Sequence, residues 1–273
     1  MSATSEIKKP HLSATQMDTY CRCPEAYRRS YIEKEKIPPM VAALRGRGMH
    51  HGAKVNFRQK MASGVDLPAA DIIDAGIAQF ETECKGGLML DYEEAKRGAP
   101  AVVSDAVASL RTILGFHAAQ QAPHYQPIMV EHFVQLELSG PRDLVGVIDV
   151  ATKSVVADFK NAKRSKSQGE VESSIQLTTY AAMYKAETGQ LPQAVALDTI
   201  VTLKTETKRQ VLISSRDEAD LLALRNRINA INHAIDAGSF PPAAPGSWNC
   251  SDRWCGYYRT CPFVNGGRGS QGD

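Results

Sequence analysis

Long apolar runs are missing from this chain. Nowhere do about eighteen apolar residues follow one another, so no stretch reads as a simple membrane span. A strong charge of either sign is missing too: 32 Lys and Arg stand against 30 Asp and Glu, for a formal net charge of +2. Any nucleic-acid surface must therefore be local rather than a property of the whole molecule. The N-terminal stretch carries His11, Asp18, Arg22 and Glu25 where a signal peptide needs an apolar segment. These absences lead us to expect a soluble, cytoplasmic protein with no membrane contact. What is present is 273 residues, 43% of them hydrophobic, enough for one large globular domain or two small ones. We read one domain with a helical elaboration. Six cysteines occur, three of them crowded as Cys250, Cys255 and Cys261, with Cys23 in a Cys-Pro dipeptide far upstream. In a reducing compartment such spacing favours thiols or metal ligands over disulfides.

The N-terminal part, 1–125, reads as helical. Ser13-Ala-Thr-Gln16 has the pattern of a capping box opening a helix that continues through Tyr27–Tyr31. After Pro38-Pro39 a second helix carries Leu44 to His51 and runs toward Phe57. The stretch 62–100, rich in Gly, Ala and acids with weak periodicity, reads as a variable helical insertion. An α/β core follows over 126–238. Val130, His132, Val134, Leu136 and Leu138 alternate with Glu131, Phe133, Gln135 and Glu137, the period of a strand. Leu144–Val150 and Ser154–Lys160 form a hairpin about Ala151-Thr-Lys153, and Ala194–Lys204 is another strand. Ser173–Thr188 reads as a helix. Leu221, Leu224, Ile228, Ile231 and Ile235 recur at helical spacing up to Gly238. Pro241, Pro242 and Pro245 then extend an arm, 239–273, that delivers the cysteines.

In the hairpin, Asp158 and Lys160 are two apart and share one face of their strand. A tight turn near Lys153 brings Asp149 nearly opposite Asp158. Two carboxylates so placed can hold one Mg²⁺ or Mn²⁺, and Lys160 can orient a nucleophile or neutralise developing charge. Gln176 and Tyr180, four apart on one helical face, can contact a phosphate or support Lys160. Glu131, on the strand before the hairpin, reads as a support to the metal ligands or as one of the exposed glutamates common in strands, and carries little weight. Basic and aromatic residues flank these positions: Arg22, Arg28, Arg29, Arg45 and Arg47, then Lys163, Arg164 and Lys166, then Trp254, Tyr257 and Tyr258. Phosphate contacts interleaved with stacking rings suit single-stranded DNA. The thiolates of the terminal arm suit either an iron–sulfur cluster or Zn²⁺. Joining Cys23 to Cys250 closes a long loop, a constraint of ~5 kcal/mol in the chain-entropy relation.

Taken in order, Gly46-Arg-Gly-Met-His50, Gly146-Val-Ile-Asp149, Asp158-Phe-Lys160 and Gln176-Leu-Thr-Thr-Tyr180 resemble the motifs of the PD-(D/E)XK nuclease superfamily, in particular its RecB-like and AddB-like exonuclease branch. Leu12-Ser13 through Cys23-Pro24 resembles that branch's opening helix. The resemblance implies a restriction-endonuclease-like α/β core, a mixed sheet flanked by helices, acting as a metal-dependent DNA exonuclease in recombination or repair. Phage or prophage origin, with a helicase or single-strand annealing protein as partner, is the implied setting. His50 becomes a further metal ligand, with His51 as the alternative one register away. Cys23, Cys250, Cys255 and Cys261 become ligands of a [4Fe-4S] cluster, although Cys250 stands five residues before Cys255 where the branch has three. Cys21 is the alternative to Cys23, and Cys84 reads as a core thiol. The competing reading is an accessory DNA-binding protein that no longer cuts.

Overall fold

The computed structural model describes residues 9–264. Six strands form one mixed sheet: β1 (His11–Leu12), β2 (Met129–Leu136), β3 (Asp143–Ala151), β4 (Val155–Ala162), β5 (Ala194–Thr202) and β6 (Thr207–Ser214). Their order is β1-β3-β4-β5-β6, with β2 also paired to β3. β4 and β5 run parallel, as do β1 and β3, and the other pairs are antiparallel. The helices are α1 (Ala14–Arg22), α2 (Pro24–Tyr27), α3 (Val41–Ser63), α4 (Ala69–Cys84), α5 (Tyr92–Arg97), α6 (Ala99–Phe116), α7 (Gln168–Glu172), α8 (Ile175–Thr188) and α9 (Glu218–Asp236).

Each face of the sheet has its own core. On one, Leu44, Phe57, Ile72, Phe80, Leu110 and Leu114 of α3, α4 and α6 pack with Phe159, Ala196 and Ile200. On the other, Met17, Leu177, Met183, Leu224 and Ile228 of α1, α8 and α9 pack with Leu144, Ile148, Val156 and Val195. α6 and the turns after it, 99–124, are long and apolar enough to pass for a membrane span. Their buried face, Val102, Ala106, Leu110, Ile113 and Leu114, is instead spent on this core, with Asp105 and Arg111 exposed.

Three expectations change. The first helix does not run unbroken to Tyr31. Pro24 forces Cys23 into extended backbone (φ −160°, ψ 97°), so α1 ends there and α2 starts afresh with Pro24 in its first turn. Its capping box is half made: Ser13 Oγ accepts from the Gln16 N–H at 3.2 Å, but Gln16 Oε1 has no partner. Second, the stretch read as an insertion, 62–100, contains α4, whose Ile72, Gly76, Ile77 and Phe80 are buried in the main core. A Cβ on Gly48 would sit 2.8 Å from the Gly76 carbonyl oxygen, and one on Gly76 2.7 Å from that of Gly48, so α3 and α4 touch backbone to backbone. Third, β6 is an additional strand on the sheet edge, tied to β5 by Arg209, whose guanidinium reaches Asp198 at 2.7 Å.

The pleat of β2 and β3 changes phase partway along. Val134, Leu144 and Ile148 pack into the α1/α8/α9 core, whereas Val130 and Val150, an even number of residues away, pack into the opposite one. Regular alternation would keep them together. The change falls at the facing residues Glu131 and Asp149, and Glu131 has φ +44°, a left-handed backbone that non-glycine residues rarely adopt.

Candidate active site

Asp149 sits at a fork in the sheet. β3 and β4 pair only at Val150↔Ala157 and Ala151↔Val156. One step on, the Asp149 carboxylate replaces the backbone partner, its Oδ2 accepting the Phe159 N–H at 3.1 Å. β2 follows the opposite edge of β3 from Met129↔Ala151 to Leu136↔Leu144. Beyond Asp149 the two hairpin strands diverge, and β1 pairs to β3 at its far end, Asp143 and Leu144. The fork leaves Asp149 open to groups from three directions.

From α3 comes His50, whose Nδ1 lies 3.4 Å from Asp149 Oδ2 and 3.7 Å from Glu131 Oε1. His50, Glu131 and Asp149 each bring a ligand atom within 4.8 Å of the others, the donor set of a cation site. His51, the alternative one register away, is not in that group. Burial alone would push the His50 imidazole below its ordinary value, but Asp149 and Glu131 outweigh it and leave the pKa raised. Glu131 is the residue that the sequence reading passed over.

From β4 and α8 comes a chain of hydrogen bonds ending on the same carboxylate. Lys160 Nζ donates to Asp158 Oδ1 at 2.8 Å and to Gln176 Oε1 at 3.4 Å. Gln176 Nε2 donates to the Tyr180 hydroxyl at 2.8 Å, which donates to Asp149 Oδ1 at 3.2 Å. All five residues read as catalytic candidates are therefore linked. Asp158 belongs to this chain rather than to the close cation group, and it is 2% exposed. Burial, with Asp149's charge beside it, pushes the Asp158 carboxyl up to about 7 although Lys160 opposes the shift. Burial would lower the Lys160 pKa; Asp158 and Asp149 outweigh it, and the ammonium stays charged. Two carboxylates that raise each other's cost of ionisation are relieved by a cation between them.

Two clefts meet at His50, Arg47 and Thr15. One, of about 450 Å³, is floored by Phe133, Val145, Gly146 and Val147 beside Glu131 and Asp149. The other, of about 490 Å³, is lined by Arg45, Lys160 and Asn161. Several of the expected phosphate contacts are spent on structure instead: Arg22 pairs with Asp18, Arg28 with Glu25 and Glu33, Arg29 with Glu35, and Lys166 with Glu170. Tyr257 is no free stacking ring, since Arg29 lies 4.5 Å over it and its hydroxyl bonds Ser30 at 2.7 Å. Arg45 makes no ion pair among the described residues.

The terminal arm returns to the N-terminal helices. Tyr20 donates to the Ser239 carbonyl at 2.6 Å, the Glu25 N–H to that of Pro241 at 3.2 Å, and Arg29 to Thr260 Oγ1 at 2.6 Å. Cys23, Cys250, Cys255 and Cys261 gather there. The Cys255 thiol is pushed up first by burial and then by the other three, and Cys250 by burial and then by Cys261 and Cys23. No three of the thiols fall within 4.8 Å of one another among the described residues. Cys21 is exposed, and Cys84 packs beside the α3/α4/α6 core.

A mixed six-stranded sheet flanked by helices, with clustered carboxylates and a lysine where its central hairpin forks, defines an α/β protein of the restriction-endonuclease-like class. The chain belongs to the PD-(D/E)XK nuclease superfamily, whose family model matches residues 11–262. That family acts on DNA with divalent metals. Among solved structures, a Eubacterium rectale protein provisionally named an exonuclease is similar in fold, with TM-score 0.53 and 13% identity over 92% of each chain. The structure of SSO0001 matches 94% of this chain and 89% of its own, at TM-score 0.42 and 13% identity. No curated protein matches the chain.

Proposed function

We propose that the protein is a divalent-cation-dependent exonuclease acting on DNA ends in recombination or repair, phage-type in origin, and working beside a helicase or annealing protein. The observation that carries the hydrolytic part is the convergence on Asp149 of His50, Glu131 and the Asp158–Lys160–Gln176–Tyr180 chain. His50, Glu131 and Asp149 would hold the cation, with Asp158 completing the set across the fork. One imidazole among carboxylates suits Mn²⁺ at least as well as Mg²⁺. When bound, the cation lowers the pKa of a water and stabilises charge on the phosphate oxygens. Lys160, charged and aimed by Asp158 and Gln176, orients the attacking water and offsets charge as it develops on the phosphate. Tyr180 keeps its proton, because burial and then the Asp149 and Asp158 charges raise its pKa, and so fixes the Asp149 carboxylate as a donor. Arg45, in no ion pair among the described residues, stands where a flanking phosphate would pass, and Arg47 joins it once released from Glu83.

The four gathered thiols are read as holding a [4Fe-4S] cluster. A tetrahedral zinc site with Zn–S of about 2.3 Å needs sulfurs roughly 3.8 Å apart. Here at least one pair in any three of the sulfurs lies farther apart than 4.8 Å. Arg29, whose charge is reinforced by Glu35 and Cys261, supplies a counter-charge.

Divalent-metal assays on 5′- and 3′-labelled single- and double-stranded DNA test the first part: metal-dependent release of nucleotides from an end is expected, and intact substrates with every metal would overturn it. Anaerobic purification tests the second, with brown protein holding about four irons per chain as the expected result. Colourless protein with one zinc would replace the cluster and leave the nuclease reading standing.

A further inference from the structure

The cleft beside the cation group has an apolar floor that the hydrolytic chemistry does not use. Two steps along the β2–β3 ladder from Glu131 and Asp149, past His132↔Ile148, is the pair Phe133↔Val147. Both side chains are open to solvent, 40% and 37% exposed. Val145 and Gly146 line the same cleft beside them. Two residues of strand separate Phe133 from Glu131, about 7 Å at a rise of ~3.3 Å per residue. A ring at that distance is one nucleotide away from a phosphate held at Asp149. Beyond His50 the second cleft adds Arg45, Lys160 and Asn161 to an otherwise largely apolar lining, and among the described residues the Arg45 guanidinium has only Asn161 Oδ1 at 3.3 Å and Ser109 Oγ at 3.5 Å. An exposed ring on one side of the cation group and cationic side chains on the other match the two components of a single strand, bases and phosphates.

We infer that Phe133, backed by Val147, is a platform on which the base next to the scissile phosphate stacks, making it a positioning and specificity-determining residue. The inference rests on the nuclease reading. In a duplex the faces of a base are covered by its neighbours, and only its edges and the phosphates are offered to a protein. An aromatic floor at the cation group is therefore covered only by a base that has left the stack.

The test combines Phe133→Ala with an abasic nucleotide moved along a single-stranded oligonucleotide. Phe133→Ala is expected to lower kcat/KM on single-stranded DNA about tenfold, within the range measured for base–aromatic stacking. At one position near the end, the abasic nucleotide should cost the wild type a similar factor and cost the variant nothing further, while Phe133→Trp restores activity. A merely structural role gives losses independent of the abasic position. Equal abasic penalties in wild type and variant would overturn the proposal, as would unchanged kinetics of Phe133→Ala. If no DNA is cut with any metal, the nuclease reading itself fails. The platform is then read by 2-aminopurine quenching in oligonucleotides bound with Ca²⁺: quenching at one position, lost in Phe133→Ala, supports it, and no quenching refutes it.

Discussion

Replacing Glu131 separates the cation site from the backbone that carries it. Its carboxylate lies 3.7 Å from His50 Nδ1 and belongs to the close group with Asp149. Two unit charges about 4 Å apart at an effective dielectric near 20 interact by about 4 kcal/mol, and a divalent cation doubles that. Desolvation of the carboxylate, and a water taking its place in Glu131→Gln, return more than half. The expected net loss is roughly 3 kcal/mol, on the order of a hundredfold in the Mn²⁺ concentration for half-maximal cleavage. Stability should move the other way for one particular substitution. Left-handed backbone costs a non-glycine residue roughly 1–2 kcal/mol, and glycine's extra freedom when unfolded takes back about 0.5–1 kcal/mol. Because Glu131 has φ +44°, Glu131→Gly should be more stable than Glu131→Ala by about 0.5–1 kcal/mol, ~2 °C in Tm. Metal titration of cleavage and thermal melts of the three variants read both quantities. A wild-type metal requirement in Glu131→Gln would remove Glu131 from the cation site. A Gly variant less stable than the Ala variant would show that no strain is stored there.

Lys160→Ala should lower kcat on the order of 10²–10³-fold in single-turnover assays, with little change in Tm because Asp158, already pushed up to about 7, takes up a proton. His50→Ala should cost far more activity than His51→Ala; the reverse order would shift the motif by one residue. Gly76→Ala would put a Cβ 2.3 Å from Leu114 and 2.7 Å from the Gly48 carbonyl oxygen, so denaturant unfolding should show a loss of about 1–3 kcal/mol. Its metal requirement should stay that of the wild type.

Much of the site was legible because its residues fall at spacings with geometric meaning. Asp158 and Lys160 share a strand face, Gln176 and Tyr180 a helix face, and the hairpin brings Asp149 beside them; the structure joins all five through four hydrogen bonds. Glu131 escaped because a strand glutamate is usually solvated. The signal was in the register: once Val130 is set opposite Val150, Glu131 must face Asp149. Its left-handed backbone had no such signal, since neither Gly nor Asn marks the position, and so the change of pleat phase went unread. α4 looked peripheral for a related reason. Its close packing is made by Gly48, Gly52 and Gly76, where burial comes from backbone contact rather than from an apolar side chain. β6 begins Thr207-Lys-Arg-Gln210 and offers no apolar alternation until Val211, so its place on the edge is set by β5 and by Arg209 on Asp198.

The same irregularity gives Asp149 a structural role beside the proposed one of cation ligand, and two substitutions tell the roles apart. Where the β3–β4 ladder stops, the Phe159 N–H has the Asp149 carboxylate as its acceptor, and Phe159 itself is 3% exposed. Asp149→Ala leaves that amide without an acceptor, at a cost of about 1–3 kcal/mol, whereas Asp149→Asn keeps an acceptor oxygen and removes the charge. Both variants should fail to cleave DNA with any divalent metal. Only the Ala variant should melt several degrees early, and its Phe159 amide should exchange faster with solvent. Equal melting of the two variants would mean that the amide finds another acceptor and that the fork does not depend on Asp149. Unequal melting would mean that the hairpin opens where it does because the Asp149 side chain stands in for a strand.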